Sequence, residues 1–104
     1  MRVEILYVPG CPNHEPALNR LRDTLRSESL EIRVQEIAVT DEAAARSLSF
    51  PGSPTIRVNG LDVEQAEKLP VGLACRLYRN GSGVPSMETL RQAIANAKQA
   101  EQNA

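Results

Sequence analysis

The apolar residues of this chain recur with two different periods. Short runs of β-branched residues that are closed by proline, glycine or asparagine are typical of strands. Leu18, Leu21 and Leu25 instead recur at helical spacing behind Asn13, a residue type that caps helices. The pattern as a whole predicts strands at 2–8, 31–39, 55–60 and 74–79 and helices at 14–27, 41–48 and 87–98.

The predicted elements follow one another as strand, helix, strand, helix, strand, strand, helix. Two strands that are joined through a helix are expected to pair in parallel with a right-handed crossover, whereas the last two strands can pair antiparallel. We therefore expect an α/β fold in which a four-stranded mixed sheet lies between helices, as a small three-layer sandwich. A length of 104 residues suits one domain, which we place at 1–98, followed by a polar C-terminal tail at 99–104.

The phase of the fourth predicted strand decides which of its residues are buried. Cys75 and Leu77 are two positions apart, so they share one face of the strand, and we expect that face to pack against the core. Residues 61–72 show no such period. We expect them to form an irregular loop, with Glu64 and Glu67 exposed to solvent.

The charges of the chain almost cancel, because 12 basic and 13 acidic side chains leave a net charge of −1. No broad positive field is therefore present to hold a phosphate backbone or an anionic membrane surface. No apolar run approaches the ~18 residues that span a bilayer. Glu4 interrupts the region where a secretion signal would need apolar residues. We expect a cytoplasmic protein that binds neither nucleic acid nor membrane.

Two cysteines, Cys11 and Cys75, are too few for a disulfide scaffold or a zinc module. We expect both to be free thiols that are not bridged in the resting protein. Cys11 stands where the first strand turns into the first helix, and the unpaired N–H groups and positive end of a helix favour thiolate over thiol. This position predicts a reactive thiol. The alternative is a small buried residue without chemistry.

Two short motifs give the chain a resemblance to the thioredoxin superfamily. Gly10-Cys11-Pro12-Asn13-His14 ends the first strand and begins the first helix, and Gly52-Ser53-Pro54-Thr55 opens a later strand. The resemblance implies a thioredoxin-like fold in which Cys11 is the nucleophile and Pro54 is a cis-proline that faces it across the site. Pro12 is similar to the proline that follows the nucleophile in many glutaredoxins.

His14 stands where this family has its second cysteine. The resemblance therefore implies a one-cysteine mechanism, with Cys11 and His14 as the catalytic residues. It also implies that Ser53 offers its backbone to an extended substrate segment. The substrate-binding residues implied in this way are Pro12, Ser53, Pro54 and Thr55. The implied partner is a protein or low-molecular-weight disulfide. No cofactor is expected, and glutathione is a candidate co-substrate, although the glutathione-binding residues typical of glutaredoxins are absent.

Sequence alone leaves two roles open. His14 follows Cys11 by three residues, a helical spacing that either brings its ring toward the thiol as a neutral hydrogen-bond donor or leaves it exposed without a role. Cys75 is either a small buried residue or a resolving thiol for oxidised Cys11, which requires Cα atoms within ~7 Å. Together, these three residues are also a weak candidate set for a soft metal.

Two functions of different classes are consistent with these residues. The first is a single-cysteine thiol-disulfide oxidoreductase, in which Cys11 forms a mixed disulfide that another thiol resolves. The alternative is a non-catalytic thioredoxin-fold binding module for a soft metal or a protein partner. A fold does not decide between them, because function resides in the site.

Overall fold

A computed structural model describes residues 1–65 and 69–103 and shows an α/β architecture with a four-stranded mixed sheet. The strands are β1 (Val3–Tyr7), β2 (Gln35–Ala38), β3 (Thr55–Val58) and β4 (Leu61–Asp62), and the helices are α1 (His14–Ser27), α2 (Glu42–Ser47) and α3 (Met87–Gln102). Within the described ranges, no helix has both the length and the apolar character needed to cross a bilayer.

The strands lie in the order β2-β1-β3-β4. β1 and β2 are parallel, as expected for strands joined through α1, and Leu6 lies beside Ile37. β1 and β3 are antiparallel, with Ile5 beside Ile56. β3 and β4 form an antiparallel hairpin, whose Asn59-Gly60 turn has positive φ at both residues, as a two-residue type I′ turn requires.

Both faces of β1 are buried, because apolar side chains cover each of them. Val3 and Ile5 belong to one hydrophobic cluster with residues of α1 and α3. Leu6 belongs to a second cluster, which includes Ala45 of α2 and the fully buried Phe50. Since successive side chains of a strand point to opposite faces, the helices pack on both sides of the sheet.

The helix boundaries follow local sequence signals. α1 spans the predicted residues, and α2 begins after its N-cap Asp41, whose carboxylate accepts a hydrogen bond from the Ala44 N–H at 2.7 Å. Ser86 caps α3 in the same way. α3 continues to Gln102, so the polar residues from 99 onward that we expected to form a tail belong largely to the helix. Ala104 lies outside the described residues.

The prediction of the fourth strand is wrong. β4 is Leu61–Asp62, inside the segment that we expected to be an irregular loop. Residues 74–79 are not a strand of the sheet, and Cys75 forms only an isolated parallel bridge with Ser53. Glu64 has intermediate exposure and Glu67 lies outside the described residues.

The predicted phase of residues 74–79 is also wrong. Leu77 is 72% exposed and Cys75 is exposed, whereas Arg76 and Tyr78 are each only 3% exposed. Arg76 and Tyr78 are buried because of the polar bonds that they make, and not because of their hydropathy. Arg76 pairs with Asp62, and the Tyr78 hydroxyl donates to the Pro54 carbonyl at 2.7 Å.

A buried cluster, which we call the Arg76 clamp, consists of Arg76, Asp62, Thr55 and Tyr78. The Nη1 and Nη2 atoms of Arg76 donate to the two carboxylate oxygens of Asp62 at 2.6 and 2.8 Å. Nη1 also donates to the Thr55 hydroxyl at 3.1 Å. The guanidinium lies 4.3 Å from the centroid of the Tyr78 ring, in a cation–π contact. The clamp therefore ties the segment around Arg76 to β3 and β4.

Removing one partner of this ion pair is expected to be strongly destabilising. An Asp62→Ala variant leaves the buried guanidinium without its counter-charge, and we expect a loss of about 3 kcal/mol in the free energy of unfolding. The exposed pair of Arg46 with Glu42 provides the control, since Arg46→Ala should cost less than about 0.5 kcal/mol. Urea denaturation measures both. Equal losses in the two variants would show that the clamp contributes no more than a surface pair.

The clamp also predicts a loss of stability at alkaline pH. Burial raises the pKa of Tyr78 above its ordinary value of about 10. Between pH 10 and that raised value, the unfolded chain releases the phenol proton and the folded protein keeps it. The free energy of unfolding should therefore fall as pH rises, by up to about 1.4 kcal/mol per pH unit. The Tyr78→Phe variant lacks this contribution. If the free energy of unfolding falls with pH equally in the variant and in the wild type above pH 10, the prediction is contradicted.

Candidate functional site

Two consecutive turns hold the backbone of Cys11. In the first, the Cys11 N–H donates to the Val8 carbonyl at 3.0 Å, and Gly10 adopts the positive φ of 86° that its turn position requires. In the second, the Cys11 carbonyl accepts from the His14 N–H at 3.2 Å, and Pro12 fixes the backbone between them. Cys11 is thus held at the junction of β1 and α1.

The thiol of Cys11 is free and half-buried at the N-terminal end of α1. Asn13 occupies the N-cap position, but its side chain makes no capping hydrogen bond. Its amide packs closely against Gly83 instead, where a Cβ atom would overlap it. Pro16, in the first turn, has no N–H. The side chain of Asn13 therefore bonds none of the first N–H groups of α1, and Glu15 is the acidic residue of the first turn.

The Ser53-Pro54 segment lies beside the end of β1. The peptide bond between these residues is cis, and Ser53 is 1% exposed. The Ser53 hydroxyl accepts a hydrogen bond from the Val8 N–H at 3.0 Å. Val8 therefore contacts Cys11 through its carbonyl and Ser53 through its N–H, which brings the two sequence motifs to one place.

The structure corrects the expectation that Ser53 offers its backbone to an extended substrate. The Ser53 N–H donates to the Ala74 carbonyl, and the Ser53 carbonyl accepts from the Arg76 N–H, each at 3.0 Å. The chain's own segment thus bonds both backbone groups of Ser53 that the resemblance implied for a substrate. Pro54 and Thr55 are buried, whereas Pro12 is exposed. Of the four residues implied as substrate contacts, Pro12 is the one that solvent reaches freely.

Gly52 makes the close approach of residues 74–76 to Ser53 feasible. Its φ of +127° is a conformation that side chains rarely allow. A Cβ atom on Gly52 would lie 2.9 Å from the Ala74 carbonyl oxygen and 3.2 Å from the Cβ of Arg76. Glycine is therefore required for two backbones to meet here.

His14 points to the edge of the sheet. Its ring is stacked on Tyr7, with the centroids 3.7 Å apart, and its Nε2 lies 3.0 Å from a carboxylate oxygen of Glu36 on β2. Among the residues that the structure describes, no hydrogen bond joins the ring to the sulfur of Cys11. The hydrogen-bond partner of the His14 ring is therefore Glu36 rather than Cys11, and the backbone N–H of His14 is what contacts Cys11.

Cys75 is exposed, so its interpretation as a small buried residue is wrong. Cys11 and Cys75 are both free in the structure. The structure brings Cys75 next to Ser53 through the parallel bridge. In the described part of the chain, no three side chains of His, Cys, Asp or Glu are grouped so as to hold a metal ion.

Sequence reasoning missed Arg76, Asp62, Tyr78 and Glu36. The sequence did contain a signal for two of them. Arg76 and Tyr78 are two positions apart and share one face of the segment, but the prediction buried the opposite face, which carries Cys75 and Leu77. The pairing of Arg76 with Asp62 joins positions 14 apart, and Asp62 lies on the β3–β4 hairpin. Glu36 has no local signal, because its partner His14 lies on another element.

Comparisons with known proteins do not identify a relative. No protein-family model, curated protein or solved structure matches this chain. Its function is therefore argued from the geometry of the site.

Proposed function

We propose that this protein is a single-cysteine thiol-disulfide oxidoreductase with a thioredoxin-like fold, acting through a mixed disulfide on Cys11. The observation that carries the proposal is the placement of a free, half-buried thiol on a backbone fixed by two turns at the uncapped end of α1. The thiolate is the nucleophilic form of cysteine, and the positive end of a helix favours it.

The sheet supports the thioredoxin-like part of the proposal. Cys11 follows the inner strand β1, and Ser53-Pro54 precedes β3, the antiparallel neighbour of β1. The two motifs that carry the resemblance are therefore adjacent at one end of the sheet, as the resemblance implies for a nucleophile and its facing proline.

The reaction has two exchange steps. The Cys11 sulfur attacks one sulfur of a substrate disulfide, the substrate S–S bond breaks, and one substrate thiolate leaves. A second thiol then attacks the Cys11 sulfur of the mixed disulfide and releases the other substrate thiolate. Each leaving thiolate takes a proton from solvent. The substrate is a protein or low-molecular-weight disulfide, and a thiol of the glutathione type, abundant in a reducing compartment such as the cytoplasm, is a suitable donor.

His14 acts as a positioning residue in this proposal. Its backbone N–H holds the Cys11 carbonyl, and its ring is fixed between Tyr7 and Glu36. The ring thereby anchors the start of α1 to β1 and β2. Removal of the ring should loosen the turn while leaving the helix terminus in place.

The first test measures which cysteine reacts. In a Cys75→Ser variant treated with glutathione disulfide at pH 7, we expect a glutathione adduct on Cys11, located by peptide mass spectrometry. In the matched Cys11→Ser variant, the exposed Cys75 should react about tenfold more slowly, because it does not lie at the N-terminal end of a helix. Equal rates would contradict the proposal and favour a non-catalytic binding module.

The second test measures the contribution of His14. His14→Ala should slow adduct formation on Cys11 by less than about tenfold, since the positive end of the helix persists. His14→Cys creates a dithiol motif and should add reduction of protein disulfides such as those of insulin. Urea denaturation controls for stability in both variants. If the His14→Cys variant is folded but reduces insulin no faster than the uncatalysed reaction, the scaffold is not suited to disulfide exchange.

A further inference from the structure

Cys11 and Cys75 are connected by a short path of hydrogen bonds. The Cys11 N–H contacts the Val8 carbonyl, the Val8 N–H contacts the Ser53 hydroxyl, and Ser53 is the bridge partner of Cys75. Each of the hydrogen bonds on this path is 3.0 Å long. Two cysteines that are 64 positions apart in sequence thus share neighbours at one end of the sheet.

The direction of the Cys75 side chain follows from its pairing. Residues paired across adjacent strands present their side chains on the same face. The Ser53 hydroxyl points to Val8, which precedes the Cys11 turn. Cys75 therefore presents its side chain on the same face as Ser53, and it is exposed to solvent.

The Arg76 clamp fixes this arrangement. Arg76 is the residue after Cys75, and it is bonded to Asp62 through its side chain and to the Ser53 carbonyl through its N–H. Ala74, the residue before Cys75, is bonded to the Ser53 N–H. Both neighbours of Cys75 are thus anchored, which holds Cys75 beside Ser53.

We propose that Cys75 is the resolving thiol of Cys11, an inference that rests on the proposed oxidoreductase function and makes Cys75, in place of an external monothiol, the second thiol of the exchange. In this step the Cys75 thiolate, its proton lost to solvent, attacks the Cys11 sulfur of the mixed disulfide. A Cys11–Cys75 disulfide forms, the bond to the substrate breaks, and the substrate leaves as a thiolate. The two cysteines together supply the two electrons that reduce the substrate disulfide. A dithiol, or two monothiols, reduces the Cys11–Cys75 disulfide again.

An internal thiol has a kinetic advantage over an external one. Groups that are held close together react as if at very high concentration, because the entropy of bringing them together has already been lost in folding. Since folding already places Cys75 beside Ser53, resolution by Cys75 should outpace resolution by a dissolved monothiol at ordinary concentration.

The experiment follows the mixed disulfide over time. The wild-type protein is mixed with glutathione disulfide, quenched with acid, and mapped by mass spectrometry without reduction. We expect peptides linked through Cys11 and Cys75, with little glutathione adduct. In Cys75→Ser we expect the adduct on Cys11 to persist at least about tenfold longer.

A matched control tests whether position, rather than the mere presence of a second thiol, matters. Ala74 is exposed and adjacent to Cys75, but it is not the bridge partner of Ser53. The double variant Cys75→Ser/Ala74→Cys should keep the long-lived Cys11 adduct. If that variant forms an internal disulfide quickly, the position of Cys75 beside Ser53 is not what makes it the resolving thiol, and the proposal is overturned.

The two proposals fail in different ways. An adduct on Cys11 with the same lifetime in wild type and in Cys75→Ser would overturn the role of Cys75 and leave the proposed function standing. The absence of any Cys11 adduct in Cys75→Ser would overturn the proposed function and the resolving role with it.

Discussion

The buried charge of Arg76 is the constraint on which the site depends. A guanidinium that is 3% exposed needs a counter-charge, and Asp62 provides it in a bidentate geometry. To reach Asp62 on β4, residues 74–78 must run beside Ser53. The occupied backbone of Ser53, the burial of Tyr78 and the exposure of Cys75 all follow from this one pairing.

The Arg76–Asp62 pair determines where residues 74–78 lie more than it stabilises the fold. Burial works against the charge of Arg76, but its hydrogen bond to Asp62 and the nearby negative groups outweigh this effect, so the pKa of Arg76 is raised. Nε of Arg76 has no hydrogen-bond partner in the described part of the chain, which offsets some of the gain. A hydrophobic substitute would fill the same volume, but it would not specify which residues of the 74–78 segment face inward.

Local patterns predicted the elements that local interactions form. The spacing of leucines in α1, the carboxylate of Asp41 and the hydroxyl of Ser86 act within a few residues of their partners, so sequence alone located the helix starts. The turn around Cys11 was predictable for the same reason. The prediction for residues 74–79 was wrong because burial of an arginine is unfavourable unless a carboxylate pairs with it. The carboxylate that pairs with Arg76 belongs to Asp62, on a separate hairpin. The position of the His14 ring likewise depends on Glu36, on a separate strand.

The chain has two tyrosines and no tryptophan, and both phenol rings contact the site. Tyr7 is stacked on His14, and the hydroxyl of Tyr78 is bonded to the carbonyl of Pro54. Excitation that selects tyrosine over the single phenylalanine therefore reports on two rings, both of which contact the site. The fluorescence of Tyr7 and Tyr78 therefore reports rearrangement around the thiol without any attached dye.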